Sequence, residues 1–350
     1  MRVAFLVNHL GTSGVNNVVA DLVSLLVRHG HHCCVFYFKD VTSKTHFDCE
    51  TRRVANWRKR IVLDEFDCLH CHGLWPMLNV MVNRYRNIKK ITTLHCYCFQ
   101  DFADLYGVAK AYPMGWLYMT AAYGFDQIVC LSKDMVQYYG RYIKHKPLSF
   151  VYNTRMISPK QPDANVSQEL RDLKQGGVLI GMNGVLINRK GVDLMIKAMS
   201  LLPSLYRLAL IGDGSERSAY ENEVRRLGLE PRVRFLGARP DAYRYLPLYD
   251  IYALPSRSEG FPLALLEAAA MGINTVTSDI PIIRECFDAD NELTQFHIAD
   301  GAEGLAKAIM QACQNENDGR GNRLKQRYER DYAPERFYEN YMKIYERSKI

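Results

Sequence analysis

The sequence predicts an α/β protein built from two doubly wound, Rossmann-like domains that face a cleft. Three observations predict it. The chain has 350 residues, enough for two domains. Short apolar runs alternate with helically spaced apolar residues along most of its length. A polar stretch at 158–177, carrying Pro159, Pro162, Gly176 and Gly177, divides that alternation into two series. Strand and helix in alternation mean parallel sheets with crossover helices, and such sheets bind ligands beyond the carboxyl ends of their strands.

The first series places strands at 2–8, 33–38, 68–72, 91–95, 127–131 and 149–152. Its first helix, 17–28, follows from Val18, Val19, Leu22, Leu25 and Leu26, which fall on one face. The stretch at 158–177 reads as a linker with a short helix. The second series places strands at 178–182, 207–211, 233–236, 251–254, 274–277 and 295–298. The C-terminal segment, 320–347, reads as helical on both sides of Pro334, with Phe337, Tyr341, Ile344 and Tyr345 forming one apolar stripe.

With 48% hydrophobic and 24% charged residues, the chain is a folded, soluble type and neither disordered nor collagen-like. No apolar run reaches the length of a membrane span. The N-terminal apolar stretch is too short for a secretory signal, so a cytoplasmic location is expected. Ten cysteines are dilute in 350 residues, and Cys33, Cys34 and Cys130 fall inside strand-like runs; reduced, buried thiols are expected.

The net charge is +7, and the excess lies in residues 1–165, which hold 20 basic and 12 acidic side chains. Arg52, Arg53, Arg58, Lys59 and Arg60 form its densest patch. Such a half suggests a polyanionic partner: a membrane face, a phosphorylated acceptor or nucleic acid. A merely solvated surface is the alternative. No recognisable nucleic-acid motif supports the third partner, and none is expected.

The segment 254–268, LPSRSEGFPLALLEA, is the most specific in the chain. It reads as a strand end, a polar loop and a helix starting near Pro262, a residue suited to a first helical position. Backbone N–H groups at such a start point at anions such as a diphosphate. Glu259 and Glu267 lie eight apart, and carboxylates accept hydrogen bonds from sugar or ribose hydroxyls. Two bare glutamates would be surface acids; the complete block is not so easily dismissed.

Two metal motifs need weighing. Cys68, His70, Cys71 and His72, with His95, Cys96 and Cys98, include plausible zinc ligands. On a strand, however, Cys71 points away from Cys68, His70 and His72, so the two cysteines cannot chelate together. His70 and His72 then line the cleft or, for His70 equally, pack in the core. Asp288 and Asp290 imitate a metal-binding D-x-D, but they sit in a polar turn and not at a strand end. Gly11-x-x-Gly14 is not a dinucleotide fingerprint.

The 254–268 block resembles the E-x7-E signature of the retaining glycosyltransferases of family 4, which have the GT-B fold. Other pieces are similar in order: the glycine loop at Gly11–Gly14, His95 ending the strand that starts at Ile91, Ser132-Lys133, the Val151-Tyr152-Asn153 turn, Lys190-Gly191, and Gly212-Asp213-Gly214. The resemblance spans nearly the whole chain and is stronger in its second half. It implies an acceptor-side domain over 1–160, joined by the C-terminal helix at about 335–350, and a nucleotide-sugar domain over 175–334.

The resemblance implies the following roles. Glu267 holds the donor ribose, Glu259 contacts the donor sugar and His95 orients that sugar. Lys190, with Arg189, neutralises the leaving diphosphate, while the Gly14 loop and the amides of Gly260, Phe261, Pro262 and Leu263 border it. No metal cofactor is implied. The donor is a nucleotide-diphosphate sugar, commonly UDP-linked, whose base meets the strand around 234–237. The acceptor is a glycan or lipid-linked glycan of a bacterial surface polysaccharide. The basic first half and the aromatic stretch 106–118 would then meet the inner membrane face peripherally.

One residue departs from the pattern. Val185 follows Gly184 where the family has Arg, so one phosphate-binding cation is missing or supplied by Arg189. The alternatives are a GT-B sugar-nucleotide epimerase, for which no acid/base pair is evident, and a catalytically silent donor-binding subunit.

Overall fold

The computed structural model describes residues 1–42, 45–158, 160–288, 291–314 and 318–346. The chain forms two compact units, one comprising Met1–Met156 with the segment from Tyr332 onward, the other Ile157–Asp331.

The first unit carries a seven-stranded parallel sheet. Its strands are β1 (Arg2–His9), β2 (His32–Lys39), β3 (Glu50–Arg53), β4 (Cys68–His72), β5 (Lys89–Thr93), β6 (Gln127–Cys130) and β7 (Leu148–Phe150). Helices α1 (Gly14–Arg28), α2 (Leu74–Asn83), α3 (Cys98–Tyr106), α4 (Val108–Ala122) and α5 (Lys133–Gly140) connect them. The spatial order is β3-β2-β1-β4-β5-β6-β7, so the winding reverses between β1 and β4. Val3 to Val7 are buried on both faces of β1, which is why that strand is apolar throughout and does not alternate.

The second unit has a six-stranded parallel sheet of β8 (Val178–Asn183), β9 (Tyr206–Ile211), β10 (Val233–Gly237), β11 (Ile251–Leu254), β12 (Thr275–Ser278) and β13 (Thr294–Phe296). Around it lie α6 (Ala164–Lys174), α7 (Val192–Leu201), α8 (Arg217–Arg226), α9 (Leu263–Met271), α10 (Pro281–Cys286), α11 (Gly301–Gln314) and α12 (Arg320–Arg327). The order β10-β9-β8-β11-β12-β13 reverses between β8 and β11, the winding of a mononucleotide-binding sheet. Its core gathers Ile180, Leu208 and Ile251 from the sheet with Met195, Ile196, Leu305 and Ile309 from the helices.

A single π turn at Tyr328–Tyr332 leads into α13 (Pro334–Glu346), which begins on its proline and packs in the first unit. Phe337, Tyr341, Ile344 and Tyr345 are buried there, as their spacing predicts. Lys89 Nζ, itself buried, donates to the carbonyls of Ile344 and Tyr345 at 2.7 and 2.8 Å. A cation at a helix C-terminus satisfies carbonyls that lack a helical partner.

The short helix expected within 158–177 is α6, which packs against β8 and β9 of the second unit. One local expectation changes. Glu50–Arg53, which shows no apolar period, is an edge strand paired with β2. That pairing draws the basic patch into ion pairs, Arg52 with Glu50 and Glu65 and Arg53 with Asp40. Arg58 stacks over Trp57 and Arg60 over Tyr85. Among the described residues, no helix is long and apolar enough to cross a membrane.

Candidate active site

In the second unit the loops after β8 and β11 lie side by side at the reversal of the winding. A 3-10 turn, Asn188–Lys190, ends on Gly191, whose φ of 72° is left-handed. A Cβ at Gly191 would overlap the Pro255 carbonyl, so only glycine lets the two loops approach. Arg257 ties them further: its guanidinium grips Asp193 through two bonds of 2.7 Å, and its N–H donates to the Arg189 carbonyl at 2.8 Å.

This packing brings Lys190 onto Glu259. Lys190 Nζ lies 2.6 and 2.8 Å from the two carboxylate oxygens, and Ser256 Oγ donates to Oε1 at 2.7 Å. Glu259 is only 5% exposed. Burial pushes its carboxyl up, but the Lys190 charge and hydrogen bonds, with Ser256 and Arg189 adding to them, hold it below the ordinary carboxylate range. A fixed anion and a cation therefore sit together at the carboxyl end of the sheet. Glu267 is half-buried one turn into α9, near enough to Tyr252 for its charge to raise that phenol. Nearby, Gly212 follows β9 with its N–H on the Gly237 carbonyl, and a Cβ there would overlap the Gly184 carbonyl.

In the first unit the corresponding loop follows β1. Ser13 caps α1 by accepting from the Asn16 N–H, and Gly14, exposed, is the first helical residue. The Asn16 amide clamps the loop by donating to the carbonyls of His9 and Gly11.

His95 lies two residues beyond β5. The loop that carries it is pinned by Tyr139, whose hydroxyl donates to the Cys96 carbonyl at 2.6 Å, and by Tyr97, which donates to Asp134 at 2.5 Å. His95 Nε2 and His72 Nδ1 lie 2.8 Å apart. His70 bonds Tyr345 through Nδ1 and Thr93 through Nε2, both at 2.8 Å. Burial pushes His95 down to about 4 and His70 down to about 3, and His72 well below its ordinary value. All three rings are neutral at pH 7.

The structure thus brings Lys190, Arg189 and Glu259 together in one unit, with Glu267 on the helix that follows; Gly14 and His95 sit at the carboxyl end of the other sheet. Three details correct the expectations. His95 does not end a strand, because β5 stops at Thr93. Pro262 caps α9 and is not its first residue. The Leu263 N–H is already bonded to the Phe261 carbonyl, and Pro262 has none, so these two of the four positions offer no free amide.

Val185 is exposed at the end of β8, and Arg189 lies in the turn that carries Lys190. Among the described residues, no group of three or more His, Cys, Asp or Glu side chains is placed to hold a metal ion. His70 is spent on Tyr345 and Thr93, which removes it from both zinc and ligand. Of the Asp288–Asp290 motif, Asp290 lies outside the described residues.

Sequence reasoning missed Ser256, the Arg257–Asp193 clamp and His72 as the partner of His95. Ser256 stands three residues before Glu259, a local spacing that could have been noticed. The other pairs are 64 and 23 residues apart and leave no sequence signal.

Two parallel α/β units, with strand orders β3-β2-β1-β4-β5-β6-β7 and β10-β9-β8-β11-β12-β13 and candidate-site loops at the carboxyl ends of their strands, define the GT-B class of fold. Solved structures agree. Sucrose-phosphate synthase from Thermosynechococcus elongatus matches with a TM-score of 0.83 at 18% identity, over 98% of both chains. HepE from Anabaena, in complex with UDP and glucose, matches at 0.79 and 17% identity, over 98% of this chain and 99% of its own. WaaG, a glycosyltransferase involved in lipopolysaccharide biosynthesis, matches at 0.76 and 16% identity, over 99% and 100%.

The model for glycosyl transferases group 1 matches residues 168–331 and that for Glycosyltransferase Family 4 matches 12–154. The O-antigen biosynthesis glycosyltransferase WclY of Escherichia coli is 31% identical over 299 residues, 82% of this chain and 83% of WclY. The lipopolysaccharide core biosynthesis glycosyltransferase LpsE of Rhizobium meliloti is 35% identical over 130 residues, 37% of each chain. The chain belongs to glycosyltransferase family 4, and it is a glycosyltransferase.

Proposed function

We propose that this enzyme moves a sugar from a nucleotide-diphosphate sugar, a UDP-sugar, to a glycan or lipid-linked acceptor in surface-polysaccharide synthesis, with retention at the anomeric carbon and without a metal. The Lys190–Glu259–Ser256 cluster at the winding reversal, in which Glu259 and Ser256 are buried and Lys190 is partly exposed, carries the reading. It offers a cation for the diphosphate and an oriented carboxylate for sugar hydroxyls within one rigid loop pair. The names of WclY and LpsE support the acceptor class, and the UDP complexes of HepE support the base.

In this reading the anomeric C–O bond to the diphosphate breaks, the acceptor oxygen bonds to that carbon from the same face, and the acceptor's hydroxyl proton passes to the departing diphosphate oxygen. Lys190 and Arg189 take up the charge developing on the leaving oxygen, an electrostatic task in which one lost donor costs about 10²–10³ in rate. Glu267 holds the ribose diol, and His95 orients the sugar.

A cytoplasmic enzyme touching the inner membrane face fits a lipid-linked acceptor. Val108, Tyr112 and Trp116, exposed at four-residue intervals on α4, support that contact better than the ion-paired arginines do. Co-sedimentation with anionic vesicles, lost in Trp116→Ala with Tyr112→Ala, tests it.

The deciding experiment is nucleotide release from a panel of UDP-, GDP- and ADP-sugars, comparing wild type with Glu267→Ala. Release from one donor, abolished in the variant, is expected. Neither release nor calorimetric binding with any donor would overturn the donor site.

A further inference from the structure

The His72–His95 pair contains a choice of proton position that the surrounding packing decides. His72 closes β4 and is 2% exposed; its neighbour across the ladder is Thr93, and His95 follows two residues later. The His72 ring lies against Phe5, centroids 6.1 Å apart and planes 22° from parallel, and its centroid is 4.2 Å from that of His70. Its Nδ1 meets His95 Nε2 at 2.8 Å. Its Nε2 is buried with no hydrogen-bond partner.

A neutral imidazole carries one N–H and one bare nitrogen, and each arrangement of this pair leaves a different group stranded. If the His72 proton sat on Nε2, a buried N–H would point at nothing, the rarest kind of unsatisfied group in folded proteins. Placed on Nδ1, the same proton makes the bond to His95 and leaves only a lone pair without a partner. The second arrangement costs less. It also dictates the state of the next ring: His95 accepts at Nε2, so its own single proton must reside on Nδ1. Among the described residues the half-buried His95 ring makes no other hydrogen bond, so Nδ1–H is left to meet a ligand.

We propose that His72 is a positioning residue for sugar transfer: its Nδ1–H donates to His95 Nε2 and fixes His95 as a hydrogen-bond donor, through Nδ1–H, to an oxygen of the donor sugar. The chemical consequence is selectivity for an acceptor atom. A sugar oxygen that can accept is held, whereas a group that could only donate finds no lone pair on His95. The inference rests on the glycosyltransferase role of His95 given above. The geometry of the pair stands without that role.

The test is two-bond ¹⁵N–¹H correlation of ¹⁵N-histidine-labelled protein at neutral pH, with the His95 ring signals identified by their loss in His95→Gln. Wild type is expected to show a protonated Nδ1 and a bare Nε2 at His95. His72→Asn, whose amide N–H can take the place of Nδ1–H, is expected to keep that pattern. In His72→Leu the ring is expected to revert towards the Nε2–H form that free histidine prefers.

A protonated Nε2 at His95 in wild type overturns the proposal, and so does an unchanged His95 pattern in folded His72→Leu. If His72→Leu does not fold, wild type and His72→Asn still decide. With the donor found by the release panel, kcat is expected to fall about 10- to 100-fold in His72→Leu and to recover in His72→Asn, with donor KM little changed. Should no donor be used, the transferase reading fails while the spectra still judge the pair.

Discussion

The three buried neutral histidines make the first unit sensitive to mild acid, by an amount that can be worked out. In the unfolded chain His70, His72 and His95 titrate near 6.5. In the folded chain burial holds His95 down to about 4, His70 down to about 3 and His72 well below normal. Below pH 6.5 the unfolded chain therefore binds protons that the folded chain refuses, and stability falls as pH falls, across the window from about 6.5 to about 4. For His95 and His70, lowering the pH from 7.5 to 5.0 costs about 2 kcal/mol each, or about 4 kcal/mol together, against a typical net stability of about 5–15 kcal/mol, and His72 adds to the loss in the same direction.

His31, lowered by burial and the nearby N-terminus, adds to this loss in the same direction. Asp21, raised by burial, acts oppositely, but only where carboxylates titrate, nearer the bottom of the window. The assay is urea unfolding followed by tryptophan fluorescence, because Trp57, Trp75 and Trp116, the chain's three tryptophans, all lie in the first unit. With an m-value near 3 kcal/mol per molar, the midpoint should fall by at least about 1.3 M between pH 7.5 and 5.0. His72→Asn should make that fall smaller. Equal midpoints at the two pH values would refute the buried-histidine account.

Other perturbations have defined outcomes. Lys190→Met leaves the Glu259 carboxylate buried without its cation and should destabilise the second unit by about 3 kcal/mol, read by calorimetry; an unchanged transition would mean that the pair is not buried as described. Gly191→Ala forces a left-handed residue against the Pro255 carbonyl and should cost about 2 kcal/mol, with donor binding weakened in the same titration. Lys89→Met strips the carbonyls at the end of α13 of their cation, at a cost of about 2 kcal/mol. Tryptic cleavage at Arg336 and Lys343 should then accelerate, and an unchanged cleavage rate would count against the role of Lys89.

Elements buried on both sides were the most legible. Ile251–Leu254 is a continuous apolar run, and Cys68–His72 sets two histidines among Cys68, Leu69 and Cys71; each strand falls where its run does. The stripe of α13 was legible for the same reason, since a helix with one buried face shows a 3.6-residue period. The edge strand Glu50–Arg53 was not, because three of its four residues are charged and ladder bonds need no particular side chain. Helix α6 was legible as the short helix within the polar stretch 158–177. The ion pairs of Arg52 and Arg53 were not legible in a count of charge along the chain, because Arg52 meets Glu65 and Arg53 meets Asp40 only in the folded unit.

By itself the sequence determined the fold class, the two series of strands and the block that supplies Glu259 and Glu267, because each is written in local patterns of apolar period and loop composition; Lys190 and His95 were singled out by the resemblance to family 4. Only the tertiary structure decided which of these residues act on one another. Lys190 reaches Glu259 across 69 residues, Arg257 clamps Asp193 across 64, and His72 meets His95 across 23. Parallel sheets return every strand in the same direction, so residues remote in sequence gather at one edge of the sheet. Burial at that edge then sets their charge and proton positions, quantities that depend on surroundings a linear sequence does not contain.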